Sequence, residues 1–86
     1  MPVKTLDEIK VVLRESVQGL SETEEPLADD TELLVSGLLD SIAVMQVVAT
    51  IEACLSREVP PLDITIENFE TLRAVFHYVA ARIECS

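Results

Sequence analysis

An aspartate followed directly by a serine, Asp40-Ser41, stands just after Gly37 and opens the apolar run that begins at Ile42. This is where residue types and spacing most clearly suggest chemistry. A helix N-terminus leaves backbone N–H groups without partners and presents the positive end of the helix dipole. A serine there can cap the helix through its hydroxyl. It can also carry a covalently attached phosphate, because the same N–H groups favour an anion. The neighbouring Asp40 carboxylate could help hold a divalent metal bound to an incoming phosphate. Gly37 lets the backbone turn sharply before the helix.

Other chemistries find little support. A serine hydrolase would need a nucleophile elbow and a histidine, and the chain has no Gly-x-Ser-x-Gly and a single histidine, His77. His77 falls opposite the Leu72/Phe76/Val79 stripe of its segment and is expected to face solvent, so no catalytic residue is assigned. The acidic run Asp29-Asp30-Thr31-Glu32 lacks the spaced oxygen ligands and turn glycine of a calcium loop. Cys54 and Cys85 are too few and too far apart for a metal site or a disulfide framework. Cys54 lies in an apolar run and is expected to pack as a small hydrophobe; Cys85 receives no role. No metal site is expected.

The net charge of −10 argues against nucleic acid as a partner and disfavours an anionic membrane surface. Between Glu15 and Ser56 there is no Lys or Arg, whereas Glu22, Glu24, Glu25, Asp29, Asp30, Glu32, Asp40 and Glu52 all fall there. A one-signed field of this kind speeds encounters with basic partners. With no charged-then-apolar leader and no apolar run of membrane-spanning length, a soluble, cytoplasmic protein is expected; a monomer is expected as well.

The 86 residues fit one domain, 1–86, whose core must be aliphatic, since Phe69, Phe76 and Tyr78 are the only aromatic residues. Thr5 and Glu8 form a Thr-x-x-Glu capping box, and Leu6, Ile9, Leu13, Val17 and Leu20 recur at helical spacing. These predict a first helix over about 5–18, stopped near Gly19. From Leu20 to Asp40 the pattern breaks into a loop of roughly twenty residues, long enough to be functional. Its leucines predict that it packs across the core, with a helical turn near 31–34.

The second helix is predicted from Ser41 to about Arg57, ahead of Pro60-Pro61. At 100° per residue, Val44, Val47, Val48, Ile51 and Leu55 share a core face. Ile42, Gln46, Ala49 and Ala53 share the opposite one. A face so short of charge is either buried all round or reserved for a partner. A short helical turn within 63–69, with Thr65 as its cap, and a last helix over about 71–83 complete the chain. The fold class is all-α: three longer helices and one short one, with a long first loop.

The segment Leu33-Leu34-Val35-Ser36-Gly37-Leu38-Leu39-Asp40-Ser41-Ile42-Ala43-Val44-Met45 resembles the modification motif of acyl and peptidyl carrier proteins. Length, acidity, the long first loop and the short third helix extend the resemblance over nearly the whole chain. It implies a four-helix bundle of acyl-carrier type. It also implies that Ser41 accepts a 4′-phosphopantetheine arm from coenzyme A, through a phosphopantetheinyl transferase and Mg²⁺, with Asp40 assisting. The arm's thiol would hold an acyl or aminoacyl group as a thioester. The protein would then be no enzyme but the partner of enzymes: an adenylating ligase or acyltransferase that loads it, and a downstream synthase or transferase that unloads it. By position, Leu39, Ile42, Gln46, Ala49 and Ala53 would form the partner surface. Carriers of central fatty-acid synthesis have many acids on the second helix; this one has only Glu52, which points to a specialised pathway. The alternative is a helical interaction module in which Ser41 only caps a helix.

Overall fold

The computed structural model describes residues 5–21 and 23–84, and every regular element among them is helical. In chain order these are α1 (Leu6–Leu20), α2 (Ser41–Leu55), a 3-10 turn (Pro61–Asp63), α3 (Ile66–Phe69) and α4 (Leu72–Glu84). Glu22 and Cys85 lie outside the described residues. Helix α1 packs against α2 and α4, and α3 packs against α4. The core between them is aliphatic apart from Cys54, Phe69 and Phe76.

Helix α1 starts as its capping pattern requires: the Thr5 hydroxyl accepts the Glu8 N–H at 3.3 Å. Ile9, Leu13 and Val17 are fully buried, which confirms the predicted stripe. The helix runs two residues beyond the predicted end. Gly19 stays within it, and Ser21 closes it instead, its N–H donating to the Val17 carbonyl and its hydroxyl to the Gln18 carbonyl.

The long loop crosses the core as its leucines require, and Leu27, Leu33 and Leu39 are buried. Buried backbone needs hydrogen-bond partners, and side chains from α1 supply several of them. Gln18 Nε2 donates to the carbonyls of Thr23 (2.8 Å) and Glu25 (2.9 Å), while its Oε1 accepts the Leu27 N–H (2.9 Å). Arg14 donates to the Leu27 carbonyl at 2.8 Å and pairs with the Asp29 carboxylate. Further on, the Leu33 N–H donates to the Glu70 carbonyl (2.8 Å), and the Arg73 N–H donates to the Asp29 carbonyl (2.9 Å). The helical turn expected near 31–34 falls later, over 34–37, where the Gly37 N–H reaches the Leu34 carbonyl. Gly37 supplies the reason: its φ of +80° is the left-handed conformation that closes this turn and that glycine adopts without strain.

Helix α2 ends at Leu55, two residues short of the predicted Arg57. Ser56 takes a left-handed conformation (φ 54°), its N–H bonding the Glu52 carbonyl, and the Arg57 N–H bonds the same carbonyl at 3.3 Å. Such a left-handed closure terminates a helix before any proline is reached. Val47, Val48, Ile51 and Leu55 are buried as predicted; Val44 is half-buried, and Ala43 and Cys54 join the core. Thr65 caps α3 by accepting the Asn68 N–H. On α4, Leu72, Val75, Phe76 and Val79 form the buried stripe, and His77 is exposed.

The Gln18 amide makes three hydrogen bonds to the loop backbone, each worth about 0.5–1.5 kcal/mol net. Gln18→Ala is therefore expected to lower unfolding free energy by about 2 kcal/mol in urea titrations. A loss below the error of the titration would show that the loop does not depend on it.

Candidate functional site

Asp40, in an extended conformation, is the N-cap of α2: its Oδ1 accepts the Ala43 N–H at 2.8 Å. Ser41 is the first helical residue, one position too late to cap. Its side chain is exposed, and its hydroxyl makes no hydrogen bond among the described residues. The capping role that residue order allows to Ser41 therefore belongs to Asp40. Only a residue with extended backbone just ahead of the first turn can turn its side-chain oxygen back onto the third helical N–H. The next intrahelical bond, from the Val44 N–H to the Asp40 carbonyl, measures 3.0 Å. The N–H groups of Ser41 and Ile42 remain open beside the serine hydroxyl, in the positive field of the helix end.

Beside Ser41 lies a cleft of about 370 Å³ between the start of α2 and α3, with Val44, Met45, Ile64, Ile66 and Phe69 among its lining. Its walls are mostly apolar, and the serine and aspartate sit at its edge. Of the residues placed on the partner-facing side by helical spacing, Ile42, Gln46, Ala49 and Ala53 are exposed, Ile42 by 70%. Leu39 is not: it is 4% exposed, and its N–H donates to the Leu33 carbonyl at 2.9 Å. The 34–37 turn, closed by left-handed Gly37, is followed by a buried Leu39, which lines the cleft rather than an outer surface.

Two apolar residues that helical spacing did not single out belong to this region. Met45 (52% exposed) and Ile66 (67% exposed) both line the cleft. Met45 had an available signal, since it lies four residues after Ser41, one turn along the same side of α2. Ile66 had none, because its exposure depends on where α3 docks. Glu52, the single charged side chain of α2, is engaged locally, its Oε2 accepting the Val59 N–H at 2.9 Å. The exposed carboxylates of Glu24, Glu25, Asp30 and Glu32 lie in the preceding loop.

An exposed, unengaged serine at a helix start, beside an apolar cleft, is a place where a group can be attached without disturbing the fold. A family model described as "Phosphopantetheine attachment site" matches residues 11–79, which include Ser41. Over 78 residues the chain is 38% identical to the lincomycin biosynthesis protein LmbN of Streptomyces lincolnensis, covering 91% of this chain and 27% of that protein. The chain thus spans about a quarter of the length of the curated relative it matches. It belongs to the phosphopantetheine-attachment family of acyl and peptidyl carrier proteins.

Removing the cap should be felt in stability. Asp40→Ala is expected to cost about 1 kcal/mol, and Asp40→Asn, which keeps a capping oxygen, only a few tenths of that. Thermal melts of the two variants beside the wild type measure the difference; equal melting points would exclude Asp40 as an effective cap.

Proposed function

We propose that this chain carries an acyl or aminoacyl group as a thioester on a 4′-phosphopantetheine arm joined to the Ser41 oxygen. The observation that carries the reading is the state of that hydroxyl: exposed, outside the capping arrangement, and next to two open N–H groups. An arm attached there would leave a phosphodiester anion at a helix N-terminus, where such groups are stabilised. The residues present fit the group. Ser41 would hold it, the Ser41 and Ile42 N–H groups would face its charge, and the apolar cleft adjoins it. The arm supplies the thiol that bears the cargo, so the domain serves as a substrate for other enzymes.

The alternative, a module in which Ser41 only caps a helix, loses its basis because Asp40 is the residue that caps. Family members serve phosphopantetheinyl transferases and biosynthetic enzymes generally. For this chain we expect an adenylating ligase or acyltransferase to load the arm, and a synthase or transferase to unload it, in the cytoplasm. Among the described residues no helix is long and apolar enough to cross a membrane. A specialised pathway is supported by the similarity to a lincomycin biosynthesis protein and by the one, internally bonded, acid of α2. The partner surface would then be Ile42, Gln46, Ala49 and Ala53 with Met45 added, meeting its enzymes mainly through apolar contact.

Incubating the purified chain with coenzyme A, Mg²⁺ and a broad-specificity phosphopantetheinyl transferase should add one phosphopantetheine to the intact mass. Ser41→Ala should abolish the addition, and Asp40→Asn, whose fold is retained, should slow it. A wild-type chain left unmodified by several such transferases, or a Ser41→Ala chain modified equally well, would refute the assignment. For the partner surface, Ala49→Glu should reduce kcat/KM for loading by the cognate ligase about tenfold with an unchanged melting point, the expected cost of a charge on an apolar contact. Unchanged kinetics would remove Ala49 from that surface.

A further inference from the structure

The cleft beside Ser41 has one wall on α2 and the other on the segment 64–69. The first wall belongs to a fifteen-residue helix with six buried side chains. The second has much less apolar anchorage. The 3-10 turn Pro61–Asp63 buries no residue, Leu62 is 90% exposed, and within α3 only Phe69 is buried. Asp63 ties this segment to α4 through one hydrogen bond and braces it internally through another. Tyr78 Oη donates to Asp63 Oδ2 at 2.7 Å, and Asn68 Nδ2 donates to the Asp63 carbonyl at 2.8 Å. Arg82 stands 3.9 Å from the same Oδ2, but both side chains are about one-third exposed, and a pair of that length and exposure contributes little.

Tyr78 therefore supplies the cross-link from α4 to the wall. Its ring also lies against Phe69, with centroids 6.3 Å apart and planes tilted by 40°, and Phe69 lines the cleft. Tyr78 itself is not in the cleft. Burial, then the hydrogen bond to Asp63 and its negative charge, push the Tyr78 phenol from its ordinary 10.0 up to about 12. It thus stays a donor throughout the neutral range.

We propose that Tyr78 is a positioning residue for the Ser41 cleft. Its hydrogen bond to Asp63 holds the 61–69 wall in place against α2, and so sets how far an apolar group tethered at Ser41 lies against the protein. The part concerning a tethered group rests on the attachment reading above; the part concerning the wall does not.

Tyr78→Phe tests this directly, because it keeps the ring against Phe69 and removes only the hydroxyl. Wild-type and variant chains would be given octanoyl or acetyl arms by a transferase supplied with octanoyl- or acetyl-coenzyme A. Thioester cleavage by neutral hydroxylamine would then be followed by intact mass, well below either melting point. The variant should lose its octanoyl group about threefold faster than the wild type, as expected for one hydrogen bond released at the wall, while acetyl arms react alike in both. Asp63→Ala should behave as Tyr78→Phe does, and Asp63→Asn, which keeps an acceptor oxygen, should behave as the wild type. Equal octanoyl rates, or an equal rise with acetyl, would overturn the positioning role. If no arm can be installed, the attachment reading fails and the wall is judged on the unmodified chain by methyl NMR. Tyr78→Phe should then shift the Met45, Ile64 and Ile66 methyl signals and leave Leu13 and Val17 in place. Unmoved cleft signals would overturn the proposal.

Discussion

A loop of about twenty residues that sends leucines into an aliphatic core must find partners for the backbone N–H and C=O groups it buries there. Everything at the functional end of this chain depends on how that requirement is met. Gln18 and Arg14 reach from α1 to the carbonyls and N–H groups of 23–27, and the turns beyond are pinned by Leu33 to Glu70 and by Asp29 to Arg73. With those bonds made, Leu33 and Leu39 can be buried and Gly37 can reverse the chain. Asp40 then arrives in the extended conformation that begins a helix.

The arrival of Asp40 divides the labour of the two adjacent residues. The carboxylate takes the structural role, and the hydroxyl one position on is left without one. The same economy recurs along α2, where Glu52 is used to tie down Val59 and the outward face is left to Ile42, Met45, Gln46 and small residues. The cleft is completed from the far end of the chain. Its second wall is a short segment with little apolar anchorage, braced internally by Asn68 and fastened to α4 by Tyr78, both through Asp63.

Much of this was legible from residue order. Helical spacing located the buried stripes of α1, α2 and α4, because the period of apolar residues follows directly from helix geometry. The same arithmetic put Ile42, Gln46, Ala49 and Ala53 on one face opposite the core but left open whether that face is buried; the structure exposes it. What escaped was set by partners distant in sequence or by local backbone choice. Leu39 was placed outside because residue order cannot show that its N–H bonds Leu33 after a left-handed turn. Residue order offered Ser41 as the cap, and only the backbone conformation of Asp40 shows that the cap falls one residue earlier. Helix α2 stopped at a left-handed serine, for which no glycine gave warning. The cluster of Tyr78, Asp63 and Asn68 was likewise invisible, since Tyr78 and Asp63 meet across fifteen residues.

The unengaged Ser41 oxygen also has a meaning in terms of linkage. A substituent shifts a folding equilibrium only by the difference between its interactions in the folded and unfolded chains. At Ser41 no native hydrogen bond has to be broken to make room for one. A group esterified to that oxygen, as proposed, would therefore sacrifice no hydrogen bond of the folded state. With the arm joined to Ser41 as proposed, folding and derivatisation would be separable events: the domain could be assembled first and put to use afterwards.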